Sequence, residues 1–283
     1  MALVVNTNIA AMTATRGLNT NTKKTLESME RLSTGLRINH AKDDVAGLQI
    51  SEILRTQIRG LDMSLRNTQD GASLLQVAEG SYETITENVQ RIRELTVQGA
   101  NDTYATSERT AIAKEIAQRM LDITQIANTS RFNGVQLLDG TQSSFIIQIG
   151  CNGTTNDTFQ LSAALQVATA ESLGLTLASI TVAAGGVFES GGNARAYLAT
   201  IDAALNTMFE RRSTIGAFQN RMDSIISNIE ITKENLSASE SRIRDLDIAS
   251  ETAKLTKNQI LQQASVSILA QAMQAPQLAL KLL

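Results

Sequence analysis

Ile201, Met208, Ile215, Met222, Ile229, Leu236 and Ile243 stand one heptad apart without a break, and each is long and apolar. Seven residues fall just short of two full helical turns, so a line of this kind is buried only as the seam of a long helix against another helix. The companion positions three residues earlier, Leu198, Leu205, Arg212, Gln219, Ile226, Lys233 and Glu240, are mixed, leaving one fully apolar line. At ~1.5 Å per residue the seam predicts a helix ~70 Å long. Such a rod needs a companion, and the first half of the chain supplies one. Leu61, Leu65, Thr68, Ala72, Leu75, Ala78, Tyr82, Ile85, Val89, Ile92 and Leu95 recur there at spacings of three and four. A shorter helix is expected from about Ser107, read as its N-cap beside Glu108, with Ile112, Ile116, Met120, Ile123 and Ile126 on one face.

Between the helical halves, over 131–192, the pattern changes. Asn133-Gly134, Asp139-Gly140 and Asn152-Gly153 punctuate short strand-like runs, and Phe145, Ile147 and Ile149 alternate on one face. A small β-hairpin insert is expected, followed by a Gly-rich return to the long helix. The fold class is therefore mainly α: a long antiparallel coiled-coil-like helical bundle carrying this insert, with the terminal helices packed together.

Both extremes of the chain lack charge, from Met1 to Thr15 and from Asn258 to Leu280. The second stretch is long enough for a bilayer, but Gln259, Gln262, Gln263, Gln271, Gln274 and Gln277 would each carry a polar amide into hydrocarbon, which argues against a span. Read as a helix, it has one stripe through Leu261, Ala264, Ile268, Ala272, Ala275, Ala279 and Leu282, and another through Leu269, Met273, Leu280 and Leu283. Two stripes ask for more than one partner helix. The tail is expected to gain order only when those partners cover it.

Several activities are excluded or disfavoured by the residues present. The single histidine, His40, leaves no multi-histidine metal site and is read as a solvated loop side chain. Asp43 and Asp44 read as a helix-entry pair facing the N-terminal dipole, not a cation cage. No phosphate-binding GxxxxGK[ST] loop occurs, and the seam methionines read as core. No cofactor, metal or catalytic residue is expected. A net charge of -3 gives no nucleic-acid footprint. Cys151 is the only cysteine, so packing must hold the fold, and its place near a turn fits a small exposed residue. Aromatics are only 3% of residues and Trp is absent, which suits helices packed through aliphatic side chains. The opening segment has neither the basic region nor the continuous apolar run of a cleaved signal peptide.

NTNIAAMTA near the start, RLSTGLRINHAKDDVAGLQIS over 31–51, GAFQNRMDSIISNI over 216–229, SRIRDLDIASE over 241–251 and ILQQASVSILAQA with PQLALKLL at the end resemble bacterial flagellins. His40, where members usually carry a small polar residue, and Met273, where Asn is usual, depart from the pattern. The resemblance implies a subunit that self-assembles into the flagellar filament for swimming motility. It divides the chain into terminal inner-tube helices (1–44 and 245–283), a helical rod (45–130 and 193–244) and the insert, which is too short for large outer domains. Inner-tube assembly would use Leu261, Ala264, Ile268, Leu269, Ala272, Met273, Leu280 and Leu283. The implied partners are further copies of the chain, an export chaperone on the last helix, and the filament cap and hook-junction proteins. A Toll-like flagellin receptor would read Gln90, Arg91, Leu95 and Glu115. The implied location is extracellular, in the flagellum, after type III export. A hook-to-filament junction protein and an adhesin or receptor ligand are the alternative readings.

Overall fold

The computed structural model describes residues 7–142, 144–183 and 185–281, the side chains of 275–281 excepted. Helices α1 (Ile9–Thr34), α2 (Val45–Gly99) and α3 (Thr106–Thr129) precede two short antiparallel strand pairs, and α4 (Gly191–Arg244) and α5 (Ile248–Lys281) follow them. The pairs are β1 (Arg131–Phe132) with β2 (Val135–Gln136), and β3 (Ile146–Gln148) with β4 (Thr158–Gln160). The chain separates into two compact units, 59–233 and a second made of 1–58 with 234–283. The first unit joins the insert to 59–130 and 193–233 of the expected rod, while 45–58 and 234–244 of that rod fall with the terminal helices.

Helix ends follow the local chemistry. Asn8 Oδ1 accepts from Ala11 N at the start of α1, and Gly35, at φ 72, closes it by donating to Arg31 O. Asp44 Oδ1 accepts from Gly47 N at the entry to α2, while Asp43 Oδ2 accepts from the main-chain N–H groups of Asn39 and His40. The expected Ser107 cap is displaced: α3 begins at Thr106, and Glu108 reaches back to accept from Ala105 N at 2.9 Å. The glutamate supplies the capping bond, so no Ser side chain is needed there.

In the 59–233 unit, α2 and α4 run antiparallel. Their ion pairs show it, since Asp62–Lys233, Glu83–Arg212 and Arg93–Asp202 rise in number along α2 and fall along α4. Beneath these exposed pairs lies one core. Leu75, Tyr82, Ile85, Val89 and Ile92 of α2 meet Ile116, Met120 and Ile123 of α3 and Ile201, Met208, Ile215 and Met222 of α4. Each fully buried large aliphatic contributes ~1.5–3 kcal/mol. The insert closes one side with Leu138, Phe159, Leu161, Leu175 and Phe188. Phe145, Ile147 and Ile149 lean on that core as their alternation predicts, while Ile146 between them points to solvent. Tyr82 ties the insert to α2, because its hydroxyl donates to Gln166 O at 2.6 Å and accepts from Gln166 N at 3.1 Å.

In the other unit, α1 lies antiparallel against α5. Asn8 Nδ2 donates to Ala272 O, Asn21 Nδ2 to Ser265 Oγ and Gln262 Nε2 to Thr22 Oγ1. The contact face is small and polar, with Ala11, Thr25 and Ser28 the buried residues of α1.

Candidate assembly surfaces

The seven seam residues divide along α4. Ile201, Met208, Ile215 and Met222 are fully buried, and Ile229 nearly so. Gly71 of α2 lets the backbone approach at Met222, since a Cβ there would lie 3.2 Å from Met222 Cε and 2.2 Å from Ile147 Cδ1. Leu236 and Ile243, which belong to the other unit, are only half-buried, so the seam is a core line for its first five members and a partly open one for the last two.

The tail divides across its width. Leu269 and Ala272 are half-buried toward α1, but Leu261, Ala264, Ile268 and Met273 are exposed, with Ile268 at 57%. The side chain of Leu280 and all of Leu283 fall outside the described residues. The tail does have a partner within its own chain, and α5 is a continuous helix against α1. The residues that make the contact, Gln262 and Ser265, escaped the apolar stripes because they are polar. Their signal was spacing: 262, 265, 269 and 272 repeat at three and four and mark one helix face. On α1, Ile9, Met12, Leu26 and Met29 are exposed as well. A groove of about 820 Å³ between Asn8, Met12, Arg16, Lys23, Leu269 and Met273 joins the two helices.

The segment linking α1 to α2 is fastened to the end of α4. Leu36 and Asp245 form an antiparallel bridge, Leu246 N donates to Gly35 O, and the Arg37 guanidinium donates to Ile243 O at 2.6 Å. Arg244, 9% exposed, donates to Glu52. That hydrogen bond, with the charges of Arg244 and Arg55, holds the Glu52 carboxyl below its ordinary range. Burial pushes buried Glu251 upward, but bonds from Ser28 and Lys254 outweigh it and leave the carboxyl lowered. His40 is an exposed side chain in this segment, and its Nε2 also lies 2.7 Å from the exposed Glu30 Oε1. This clasp was unreadable beforehand because its pairing joins motifs two hundred residues apart.

Of the proposed receptor-reading residues, Gln90 and Arg91 are exposed on α2 and Arg91 also bridges to Glu115 of α3 at 3.1 Å. Leu95 is 2% exposed and belongs to the core. It supports that surface from beneath and is not presented on it, because its position continues the stripe through Val89 and Ile92. Cys151 is exposed in the loop after β3. Among the described residues no cluster of three potential metal ligands occurs, and no helix is long and apolar enough to cross a membrane.

Paired first and last helices with open apolar faces, together with a separately packed helical unit, are the architecture of a structural subunit that assembles with copies of itself. The chain belongs to the bacterial flagellin family. Residues 5–143 match the bacterial flagellin N-terminal helical region and residues 198–283 the bacterial flagellin C-terminal helical region. It is 41% identical to a flagellin of Halalkalibacterium halodurans, across 99% of this chain and 100% of that one. It is 39% identical to the flagellar filament 33 kDa core protein of Treponema phagedenis, over 99% and 100% of the two chains. A solved structure assigned to a flagellar hook-associated protein of Vibrio parahaemolyticus shares the fold with a TM-score of 0.59 at 16% identity, covering 72% of this chain and 100% of that one. Flagellins are structural proteins of the flagellar filament, and motility is their general role.

Proposed function

We propose that this flagellin polymerises through the open faces of α1 and α5, each copy covering the apolar residues its neighbours leave exposed. The observation that carries this reading is the exposure of Leu261, Ile268 and Met273 on α5 beside Ile9, Met12, Leu26 and Met29 on α1. A self-contained protein would have buried so many large side chains on adjacent helices. Heterologous contacts whose rotation does not close give an open helix of subunits, which is a filament and not a ring. Before assembly, an export chaperone covering α5 would shield the same face, and delivery outside the cell would bring the subunit to the filament cap, with hook-junction proteins at the base. The α1–α5 contact rests on small polar side chains, so its full order would come with polymerisation. Receptor recognition would be a secondary property of the Gln90, Arg91 and Glu115 surface. The junction-protein alternative is disfavoured, because the hook-associated likeness extends to fold alone while the flagellin relatives match in sequence over nearly the whole chain.

Deleting 258–283 tests the central reading. The shortened chain should keep the melting transition of the 59–233 unit and fail to polymerise on seeds, as seen by electron microscopy. Filaments of normal length from the shortened chain would overturn it.

A further inference from the structure

The loop joining β3 to β4 presents Cys151, Asn152 and Gly153 together at its apex, all three exposed. The regular pairing of the strands stops below them, where Ile149 and Gly150 both donate to Asp157 O. Above that point the described bond to Asn152 is from the Gln148 side chain to its main-chain oxygen, 2.7 Å away. Gly153 has no atom within 4 Å of the place a Cβ would occupy, and its φ lies outside the left-handed region. The dipeptide is thus both open and lightly held.

We propose that Asn152 is a self-modifying site that converts to isoaspartate and aspartate without an enzyme. The Gly153 main-chain nitrogen attacks the Asn152 side-chain carbonyl and forms a new C–N bond. The bond from that carbonyl carbon to Nδ2 breaks, the displaced proton and the amide nitrogen leave as ammonia, and a five-membered succinimide remains. Water then opens the ring on either side. Nothing is oxidised or reduced, and the sum is asparagine plus water giving the acid plus ammonia. Glycine is what makes the nitrogen accessible, because any side chain would crowd the attack.

A second Asn-Gly pair on the same insert behaves differently for a geometric reason. Asn133 sits in the left-handed region at φ 48 and Gly134 at φ 81, the two-residue turn of the β1–β2 hairpin. Cross-strand pairing on both sides holds that backbone, so Asn133 cannot rotate its side-chain carbon onto the Gly134 nitrogen without opening the hairpin. Asn152 lies outside the paired strands, and the bond to its main-chain oxygen comes from the flexible Gln148 side chain. Each conversion adds one negative charge to the loop apex and, in the isoaspartate form, lengthens the backbone by one atom. A subunit that persists in a polymer therefore carries a chemical record of its age on this loop.

The experiment is to age the native full-length protein in mildly alkaline buffer and cleave it after phenylalanine, which places Asn152 in a peptide from Ile146 to Phe159 and Asn133 in a separate one starting at Asn133. Mass spectrometry with isoaspartate-sensitive fragmentation then follows each site, with urea-unfolded protein as reference. The expected result is an amide-to-acid mass shift at Asn152 while Asn133 keeps its amide, with both sites shifting together in urea. Gly153→Ala, which the open space accommodates, should abolish the native shift while leaving the circular dichroism melt unchanged. Equal or faster conversion at Asn133, protection of Asn152 relative to the unfolded chain, or undiminished conversion in Gly153→Ala would each overturn the proposal.

Discussion

Asn8 donates from its side-chain amide to the main-chain carbonyl of Ala272, 2.8 Å away and 264 positions later in the chain. The same side chain caps α1 by accepting from Ala11 N. One residue therefore both starts the first helix and registers it against the last, and the side-chain bonds of Asn21 with Ser265 and Thr22 with Gln262 likewise join polar groups across the pair. Polar pairing fixes register at little gain in stability, which leaves the large apolar side chains of both helices available for other copies.

Ile268→Asp tests that division of labour. The residue is exposed, so the melting of the isolated protein should stay within about 0.5 kcal/mol of the parent. Polymer yield after seeding should fall sharply. A variant that assembles normally would remove Ile268 from the interface.

Met222→Asp should do the reverse. It places a carboxylate in a fully buried position opposite Gly71, where an unpaired charge costs several kcal/mol. Thermal unfolding of the soluble protein should move to markedly lower temperature, and an unchanged profile would show that this line is not the principal core.

Tyr82→Phe removes both hydrogen bonds to Gln166 and should cost about 1–3 kcal/mol while leaving a polar main-chain pair without its partner. Burial raises the pKa of Tyr82 above 10.0, its ordinary value. The neutral phenol is the form the fold favours, so its contribution is complete below the ordinary tyrosine range and is lost as pH rises through the raised value. If other groups, Tyr197 among them, dominate, parent and Tyr82→Phe should lose stability equally steeply as pH rises. With Tyr82 in control, the variant's stability should vary less steeply with pH above the ordinary tyrosine range, as read by denaturant titration.

The clasp responds at the acid end. Glu52 is lowered by Arg244 and Glu251 by Ser28 and Lys254 against the effect of burial, so their contributions are complete above the ordinary glutamate range and are lost as pH falls through the lowered values. Hydrogen exchange at Leu246 and Arg37, whose main-chain N–H groups donate to Gly35 O and Arg244 O, should accelerate through that acid window. Glu52→Gln should accelerate it at neutral pH; equal protection in parent and variant would separate Glu52 from the clasp.

Cys151 offers a probe of the insert. Its exposure predicts rapid maleimide labelling of the native protein. If the loop faces outward in the polymer, intact filaments should label at a similar rate without dissociating. Labelling confined to dissociated subunits would place the loop in a contact.

What the sequence determined by itself is the part of the fold written as a period. Ile201 to Ile229 repeat every seven residues and Leu61 to Leu95 every three or four, and only helices laid side by side bury such lines; the alternation of Phe145, Ile147 and Ile149 likewise fixed which face of the insert turns inward. Motifs at both ends carried the family. Tertiary structure decided which neighbour each line would meet. Leu236 and Ile243 keep the heptad yet stay half-exposed, because periodicity is local to one helix while burial depends on what stands opposite. Leu95 went inside and Arg91, four residues earlier, stayed outside to join Glu115 for the same reason. The bridge from Leu36 to Asp245 had no periodic trace at all, and the spacing of 262, 265, 269 and 272 marked a face of α5 without naming Asn8 as a partner, since a hydrogen bond between distant polar groups requires only that folding bring one donor and one acceptor to the same place.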